Sequence, residues 1–128
     1  MLKLSFSAAI EPLPQARCRF GRGRAFEPAR MKEYKAAITT AAKLAMKNQQ
    51  PTTAAISCKL RLFRKFNAIS RRFGDADNLA KAVMDACNGV VWKDDAQIVS
   101  LTAEKIKSTV PRVEVEIETV DGEGFERR

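Results

Sequence analysis

Apolar and polar residues alternate along four stretches of the chain, and this two-residue period is typical of strands with one buried face. In the last stretch, Val113, Val115 and Ile117 are expected to face the core, whereas the glutamates that alternate with them face solvent. The four predicted strands cover about residues 2–10, 54–66, 97–107 and 112–120.

Two other segments have the longer apolar period of an amphipathic helix. The first is expected from about Glu27 to Gln50, with Pro28 in its first turn and Pro51 beyond its end. The second is expected from about Asp77 to Asn88, where Gly89 ends it. The segment before the first helix, RCRFGRGR, contains four arginines and two glycines and predicts a loop or an irregular hairpin.

The order of these elements predicts the fold class. Strand, loop, helix, strand, helix, strand and strand give an α+β protein, in which two principal helices pack on a small mixed β-sheet. A chain of 128 residues has the usual size of one domain, so we expect a single domain over residues 1–128. Its last segment, about residues 121–128, is expected to be a frayed tail.

The net charge of the chain indicates which kinds of partner it is expected to bind. The chain has 23 Lys and Arg against 15 Asp and Glu, a net charge of +8, which favours nucleic acid or another polyanion. A basic protein with no such partner is the alternative. The first ten residues lack the continuous apolar run of a secretory signal, and no segment has the apolar length of a membrane helix. We therefore expect a cytoplasmic protein without a membrane partner.

The residue types exclude several kinds of catalysis. The chain has no histidine, which removes histidine bases, histidine zinc sites and Ser/His/Asp triads. Cys18, Cys58 and Cys87 lie too far apart in sequence for zinc-ligand spacing and are expected in or near the core. Carboxylates, lysine and a hard cation remain for any chemistry.

The second predicted helix has a chemically distinctive polar face. Its apolar side carries Leu79, Ala80, Val83, Met84 and Cys87, and Asp75 stands just before the helix start. An N-terminal cap is the alternative role for Asp75 or Asp77, and an i,i+4 ion pair is the alternative role for Lys81. The opposite side of the helix is predicted to present Asp77, Asn78, Lys81, Asp85 and Asn88.

A second acidic pair, Asp94 and Asp95, follows an apolar Val-Val-Trp run that is expected to hold it against the body of the protein. If the two acidic groups converge, their mutual repulsion requires a cation or protons. Oxygen ligands alone suit Mg²⁺ or Mn²⁺. Such an ion activates water for attack on a phosphodiester, and Lys81 is placed to stabilise the developing negative charge. The residues thus indicate a metal-dependent nuclease or phosphoryl-transfer enzyme.

The same residues resemble the RusA family of Holliday junction resolvases, which are phage and prophage proteins of about this length. The family pattern appears in Asp75-Ala76-Asp77-Asn78-Leu79-Ala80-Lys81, in Asp85, in Asn88-Gly89 and in Val91-Trp92-Lys93-Asp94-Asp95-Ala96-Gln97. The similarity is dense over about 25 residues, and the order of strands and helices around them is also similar.

The resemblance implies a Mg²⁺-dependent endodeoxyribonuclease, with Mn²⁺ as a substitute, that cuts four-way DNA junctions by paired nicks. It implies that Asp75, Asp77 and Asp95 bind the metal and that Lys81 is the catalytic lysine. Asp94 is a further candidate ligand. Asn78 and Asp85 are supporting candidates, Asp85 as an i+4 partner of Lys81. It also implies a homodimer, whose two identical sites suit two symmetric nicks. A flap or single-strand nuclease, or a DNA-binding protein without activity, remains an alternative.

Basic residues around this motif are candidate phosphate contacts. The candidates before the first helix are Arg17, Arg19, Arg22 and Arg24, for which a solvated loop that binds nothing is the alternative. Nearer the acids are Arg64, Lys65, Arg71 and Arg72. Four aromatic residues, Phe63, Phe66, Phe73 and Trp92, are expected mainly in the core or an interface, with base stacking by Phe66 or Phe73 as the alternative.

Overall fold

A computed structural model describes residues 2–15, 19–21 and 24–120. Arg17, Cys18, Arg22 and the predicted tail 121–128 lie outside the described residues. A short 3-10 helix, Asp95–Gln97, precedes the fifth strand. In chain order, the elements are β1 (Lys3–Ala8), β2 (Arg19–Gly21), β3 (Arg24–Phe26), α1 (Ala29–Met46), β4 (Ile56–Arg64), α2 (Ala76–Cys87), β5 (Ile98–Lys107) and β6 (Arg112–Thr119).

Four strands form one mixed sheet in the order β1-β6-β4-β5. β6 runs antiparallel to both β1 and β4, whereas β4 and β5 are parallel and are connected through α2. The predicted α+β fold, a mixed sheet with two helices, is therefore confirmed. The arginine-rich segment contributes β2 and β3, which pair as an antiparallel two-stranded sheet.

Both helices pack on the same sheet, and the core lies between these layers. The predicted inward residues of β6, Val113, Val115 and Ile117, are buried, as are Cys58 and Cys87. Burial raises the pKa of the Cys58 thiol to about 12, so this thiol stays protonated at neutral pH. The core also contains Trp92 and Phe73, both fully buried, which confirms the core assignment of these two aromatic residues.

The first helix is shorter than predicted. It ends at Met46, because Lys47 and Asn48 both adopt left-handed backbone conformations, with φ of 49° and 67°. The sequence pattern extended this helix to about residue 50, since lysine and asparagine give no strong stop signal and the first proline comes later.

The parallel connection fixes the direction of α2. Arg64, at the end of β4, donates from Nη1 to the Phe73 carbonyl at 3.0 Å, so α2 starts near that end of the sheet. After α2, the backbone N–H of Thr52 donates to the Val91 carbonyl at 2.9 Å, near the start of β4. α2 therefore runs opposite to β4 and β5. Its 12 residues span about 18 Å.

No helix in the described part of the chain is long and apolar enough to cross a membrane.

Candidate active site

Two exposed aspartates stand at the beginning of α2. Asp75 occupies the N-cap position, but its side chain makes no capping hydrogen bond, and Asp77 lies in the first turn. Among the side chains of residues 2–15 and 27–120, neither carboxylate takes part in an ion pair. A capping role does not account for Asp75, and both acids remain available to a ligand.

The backbone before Asp75 is fixed by Gly74. Its φ of +104° is unfavourable for other residues, and an added Cβ would lie 3.1 Å from two side-chain carbons of Pro14. The next residue along, Gln15, donates its backbone N–H to the Asn78 carbonyl at 2.9 Å. The segment after β1 therefore packs against the first turn of α2 and determines where Asp75 and Asp77 lie.

The polar face of α2 is confirmed, because all five of its predicted members are exposed and the opposite residues are buried. Lys81 lies one turn after Asp77 on this face and forms no ion pair with a described residue. The members of the face are Asp77, Asn78, Lys81, Asp85 and Asn88.

The expected partnership between Asp85 and Lys81 is wrong. Asp85 Oδ2 instead accepts from Lys35 Nζ of α1 at 3.2 Å, and the same ammonium lies 2.6 Å from Glu27 Oε1. Burial opposes the charge of Lys35, but its contacts with Glu27 and Asp85 outweigh that effect and raise its pKa. Asp85 therefore connects α2 to α1 and does not pair with Lys81.

The second acidic pair has two different local roles. Asp94 caps the 3-10 helix, since its Oδ1 accepts from the backbone N–H of Ala96 at 2.9 Å. Gln97 accepts from the backbone N–H of Asp94 at 2.9 Å and donates to the Thr52 and Ala54 carbonyls at 2.8 and 2.9 Å. Asp94 and Gln97 therefore hold this turn to the chain before β4.

Asp95 is oriented by a buried tryptophan. Its Oδ1 accepts from Trp92 Nε1 at 2.7 Å, while the indole itself is fully buried. The negative charge of Asp95 also reaches Cys87, whose pKa is raised mainly by burial and further by Cys58 and Asp95. The backbone N–H of Gly89, two residues after α2, donates to the Trp92 carbonyl at 2.7 Å, so Trp92 and the Asp95 carboxylate that it binds lie near the C-terminal end of α2.

The two acidic groups do not converge within one chain. Asp75 and Asp77 stand at the N-terminal end of α2, about 18 Å of helix away from the end near Asp95. Among the described residues, no three Asp, Glu, Cys or His side chains form a group that holds a metal. Convergence was expected because both groups are framed by core segments, but the antiparallel direction of α2 separates them.

The loop before Asp75 contains both a buried and an exposed arginine. Arg64 is 6% exposed, and its Nε and Nη2 donate to Glu11 Oε1 at 3.1 and 2.9 Å. Its candidate role as a phosphate contact is therefore wrong, because its guanidinium is already used inside the protein. Lys65, Arg71 and Arg72 are exposed and remain candidates. Arg19 and Arg24 lie on β2 and β3.

The fold and the site together define a class, a basic α+β protein with exposed carboxylates and a lysine on one helix and exposed arginines beside it. Comparison with known proteins gives the family. The family described as endodeoxyribonuclease RusA matches residues 9–118, so the chain belongs to the RusA family. The description of this family names an endodeoxyribonuclease.

One relative is similar to this chain over part of its length. The "Uncharacterized protein YqaN" of Bacillus subtilis (strain 168) is 50% identical to this chain over 46 residues. That segment is 36% of this chain and 32% of YqaN, so the similarity spans about a third of the relative's length.

Proposed function

We propose that the chain is a Mg²⁺-dependent endodeoxyribonuclease that resolves four-way DNA junctions by paired, symmetric nicks, with Mn²⁺ as a substitute ion. The observation that carries this proposal is the pair of exposed carboxylates of Asp75 and Asp77, with the exposed ammonium of Lys81 one helical turn after Asp77. None of the three groups forms an ion pair with a side chain that the structure describes. A divalent cation would pair with these carboxylates, and a phosphate would pair with the ammonium.

The donor set fits a hard divalent cation. Asp75 and Asp77 offer only carboxylate oxygens, which are the ligands that Mg²⁺ prefers. Asp95 adds a third carboxylate, and its bond from Trp92 is the kind of support that orients a metal-binding side chain. When bound, the ion polarises the scissile phosphate and activates a water molecule. Lys81 then provides positive charge close to the phosphate during the reaction.

A two-fold dimer would bring the two separated acidic groups together. β5 is an edge strand of the sheet, and its Val99 and Leu101 are 46% and 45% exposed. The start of β5 directly follows Asp95, whereas near its other end Lys105 Nζ lies 5.2 Å from the centre of the Phe73 ring, just before Asp75. Antiparallel pairing of two β5 strands brings Asp95 of one chain towards Asp75 and Asp77 of the other. We therefore propose that each metal site takes ligands from both chains.

Cleavage of defined DNA substrates tests the proposed activity. Purified protein is incubated with labelled four-way junction, linear duplex and flap, in Mg²⁺ or in EDTA. The expected result is paired nicks in the junction with Mg²⁺ and binding without cutting in EDTA. Cutting of linear duplex at a comparable rate would contradict resolvase activity and leave a less selective nuclease, and no cutting of any substrate with Mg²⁺ or Mn²⁺ would contradict the proposal as a whole.

A further inference from the structure

The loop between β4 and α2 presents an isoleucine to solvent. We call residues Lys65–Arg72 the basic loop. Ile69 lies in its middle and is 92% exposed, which is more than any other large apolar side chain in the described part of the chain. The next most exposed is Leu44 at 74%, on α1. Single exposed apolar residues are common, so the residues around Ile69 must show whether its exposure has a function.

Hydrogen bonds hold the basic loop in shape. The backbone N–H of Ser70 donates to the Asn67 carbonyl at 2.9 Å, and that of Phe73 donates to the Ser70 carbonyl at 3.0 Å. The side chains of Asn67 and Ser70 accept from the backbone N–H groups of Ile69 and Arg72, each at 3.1 Å. Two consecutive turns thus fix Ile69 at the tip, in a conformation in which it contacts little of its own chain.

The aromatic residues of this region are not free to stack on a base. The Arg64 and Arg72 guanidinium carbons lie 4.8 and 4.4 Å from the centre of the Phe66 ring, as cation–π contacts. Phe73 is fully buried. Base stacking by either phenylalanine, the alternative that the sequence left open, is therefore not supported. Ile69 is the apolar group of this loop that remains available.

The surroundings of Ile69 suit DNA rather than a protein partner. Lys65, Arg71 and Arg72 are exposed on the same loop, so the apolar side chain of Ile69 is flanked by positively charged side chains. The Phe66 ring lies between the guanidinium groups of the buried Arg64 and the exposed Arg72. This contact restricts the movement of the Arg72 guanidinium. Asp75 follows Ile69 by six residues, so the tip lies close to the proposed site of cutting.

We propose that Ile69 inserts between bases of the junction next to the strand that is cut, while the arginines of the basic loop bind the flanking phosphates. The proposal rests on the proposed function, because it assigns a specificity residue to that reaction. Apolar side chains that enter a base step unstack it and bend the DNA. Bases at a branch point are easier to unstack than bases within a duplex, so this insertion favours junctions over linear DNA.

A fluorescent base reports the insertion directly. A four-way junction carries 2-aminopurine next to the branch point, and the protein is added in EDTA so that the DNA stays uncut. Wild-type protein is expected to raise the fluorescence, because unstacking relieves quenching. Ile69→Ser is expected to abolish the rise and to weaken junction binding about tenfold. The salt dependence of binding should stay unchanged, because no charge is removed.

Two control variants make the result specific. Ile69→Leu keeps an apolar side chain and is expected to retain the fluorescence rise. Val110→Ser removes a 60% exposed apolar residue from the turn between β5 and β6 and is expected to behave as wild type. Sedimentation then shows whether Ile69→Ser changes the oligomeric state; a loss of dimer would overturn the proposal by assigning Ile69 to a protein interface.

The test separates this proposal from the proposed function. Junction cutting by wild type without any fluorescence rise would overturn the insertion and leave the resolvase intact. An equal rise with Ile69→Ser would overturn it as well. A rise that depends on Ile69, in a protein that never cuts DNA with Mg²⁺ or Mn²⁺, would support insertion while contradicting the nuclease.

Discussion

At the scale of single residues, the bonds that an aspartate receives determine what it can still do. The Asp94 side chain is used in a cap, and Asp85 is used in the ion pair with Lys35. Asp75 and Asp77 have no such partner within the described residues. All four stand in the same motif, and a sequence pattern does not distinguish structural carboxylates from available ones. The structure distinguishes the two kinds of carboxylate by the hydrogen bonds and ion pairs that each side chain makes.

Asp77→Asn is expected to abolish junction cutting while leaving binding intact. The amide is a poorer ligand for a hard cation, so the rate with Mg²⁺ should fall by at least about 100-fold. Binding in EDTA should stay equal or become stronger, because one negative charge near the phosphate is lost. Cleavage and gel-shift assays measure the two effects. Asp85→Asn is the control, because that carboxylate pairs with Lys35, and it should keep most of the cutting rate; normal cutting by Asp77→Asn would remove Asp77 from the site.

Alanine substitutions of the two arginines that flank Phe66 are expected to have different effects. Arg72→Ala should lower the slope of log binding constant against log salt by about one unit, with little change in stability. Arg64→Ala should lower the free energy of unfolding by about 2 kcal/mol, since it leaves the buried Phe73 carbonyl without its donor. Urea unfolding and salt-dependent binding separate them. An unchanged salt slope for Arg72→Ala would assign that residue to solvent.

At the scale of elements, the sequence predicted the strands and helices that have a regular apolar period, but it did not predict the direction in which α2 runs. The four long strands and both helices were predicted because one face of each is apolar, as in Leu79, Val83 and Cys87 of α2. For the arginine-rich segment the sequence left a loop and an irregular hairpin open, since the segment has no apolar alternation, and the antiparallel pair of β2 and β3 agrees with the hairpin. The reversed path of α2 also left no signal in its own residues. It follows from the parallel pairing of β4 with β5, which is a property of the assembled sheet.

Gly74 and Gly89 form a matched pair for testing how the turn before α2 holds the site. Both have positive φ, +104° and +83°, but an added Cβ would meet Pro14 at 3.1 Å only at Gly74, and open space at Gly89. Gly89→Ala should therefore cost about 1 kcal/mol of unfolding free energy from backbone strain alone, and Gly74→Ala about 2–3 kcal/mol. Gly74→Ala should also reduce cutting, because it displaces Asp75. Equal losses of stability would show that the contact with Pro14 is unimportant.

At the scale of the whole molecule, the net charge of +8 is unevenly distributed. The sheet face that points away from the helices pairs its charges across strands, with Lys3 opposite Glu118 and Lys59 opposite Glu116. On the same face, Arg61 lies 3.3 Å from Glu116. This face is close to neutral, so the excess positive charge lies elsewhere on the molecule. We therefore expect DNA to approach α2 and the basic loop, where Asp75 and Asp77 also lie.

Mixing two inactive variants tests whether a metal site takes its ligands from both chains. Asp77→Asn and Asp95→Asn are each expected to be inactive alone. If each site combines Asp75 and Asp77 of one chain with Asp95 of the other, the mixed dimer holds both substitutions in one site and leaves its second site intact. Unfolding and refolding an equal mixture gives mixed dimers at about one half, so nicking should return to about a quarter of the wild-type rate.

The product of the mixture is as informative as its rate. A dimer with one intact site is expected to nick one strand of the junction and to release few fully resolved duplexes, because resolution needs both nicks. Two variants with substitutions in the same carboxylate pair, Asp75→Asn and Asp77→Asn, serve as the matched control. Their mixed dimer carries one substitution in each site and should stay inactive. Recovery of an untagged variant together with an affinity-tagged one shows that mixed dimers have formed. If Asp77→Asn and Asp95→Asn stay inactive together in such mixed dimers, each site belongs to a single chain. Asp95 would then have to reach its own Asp75 by a rearrangement of the segment between α2 and β5.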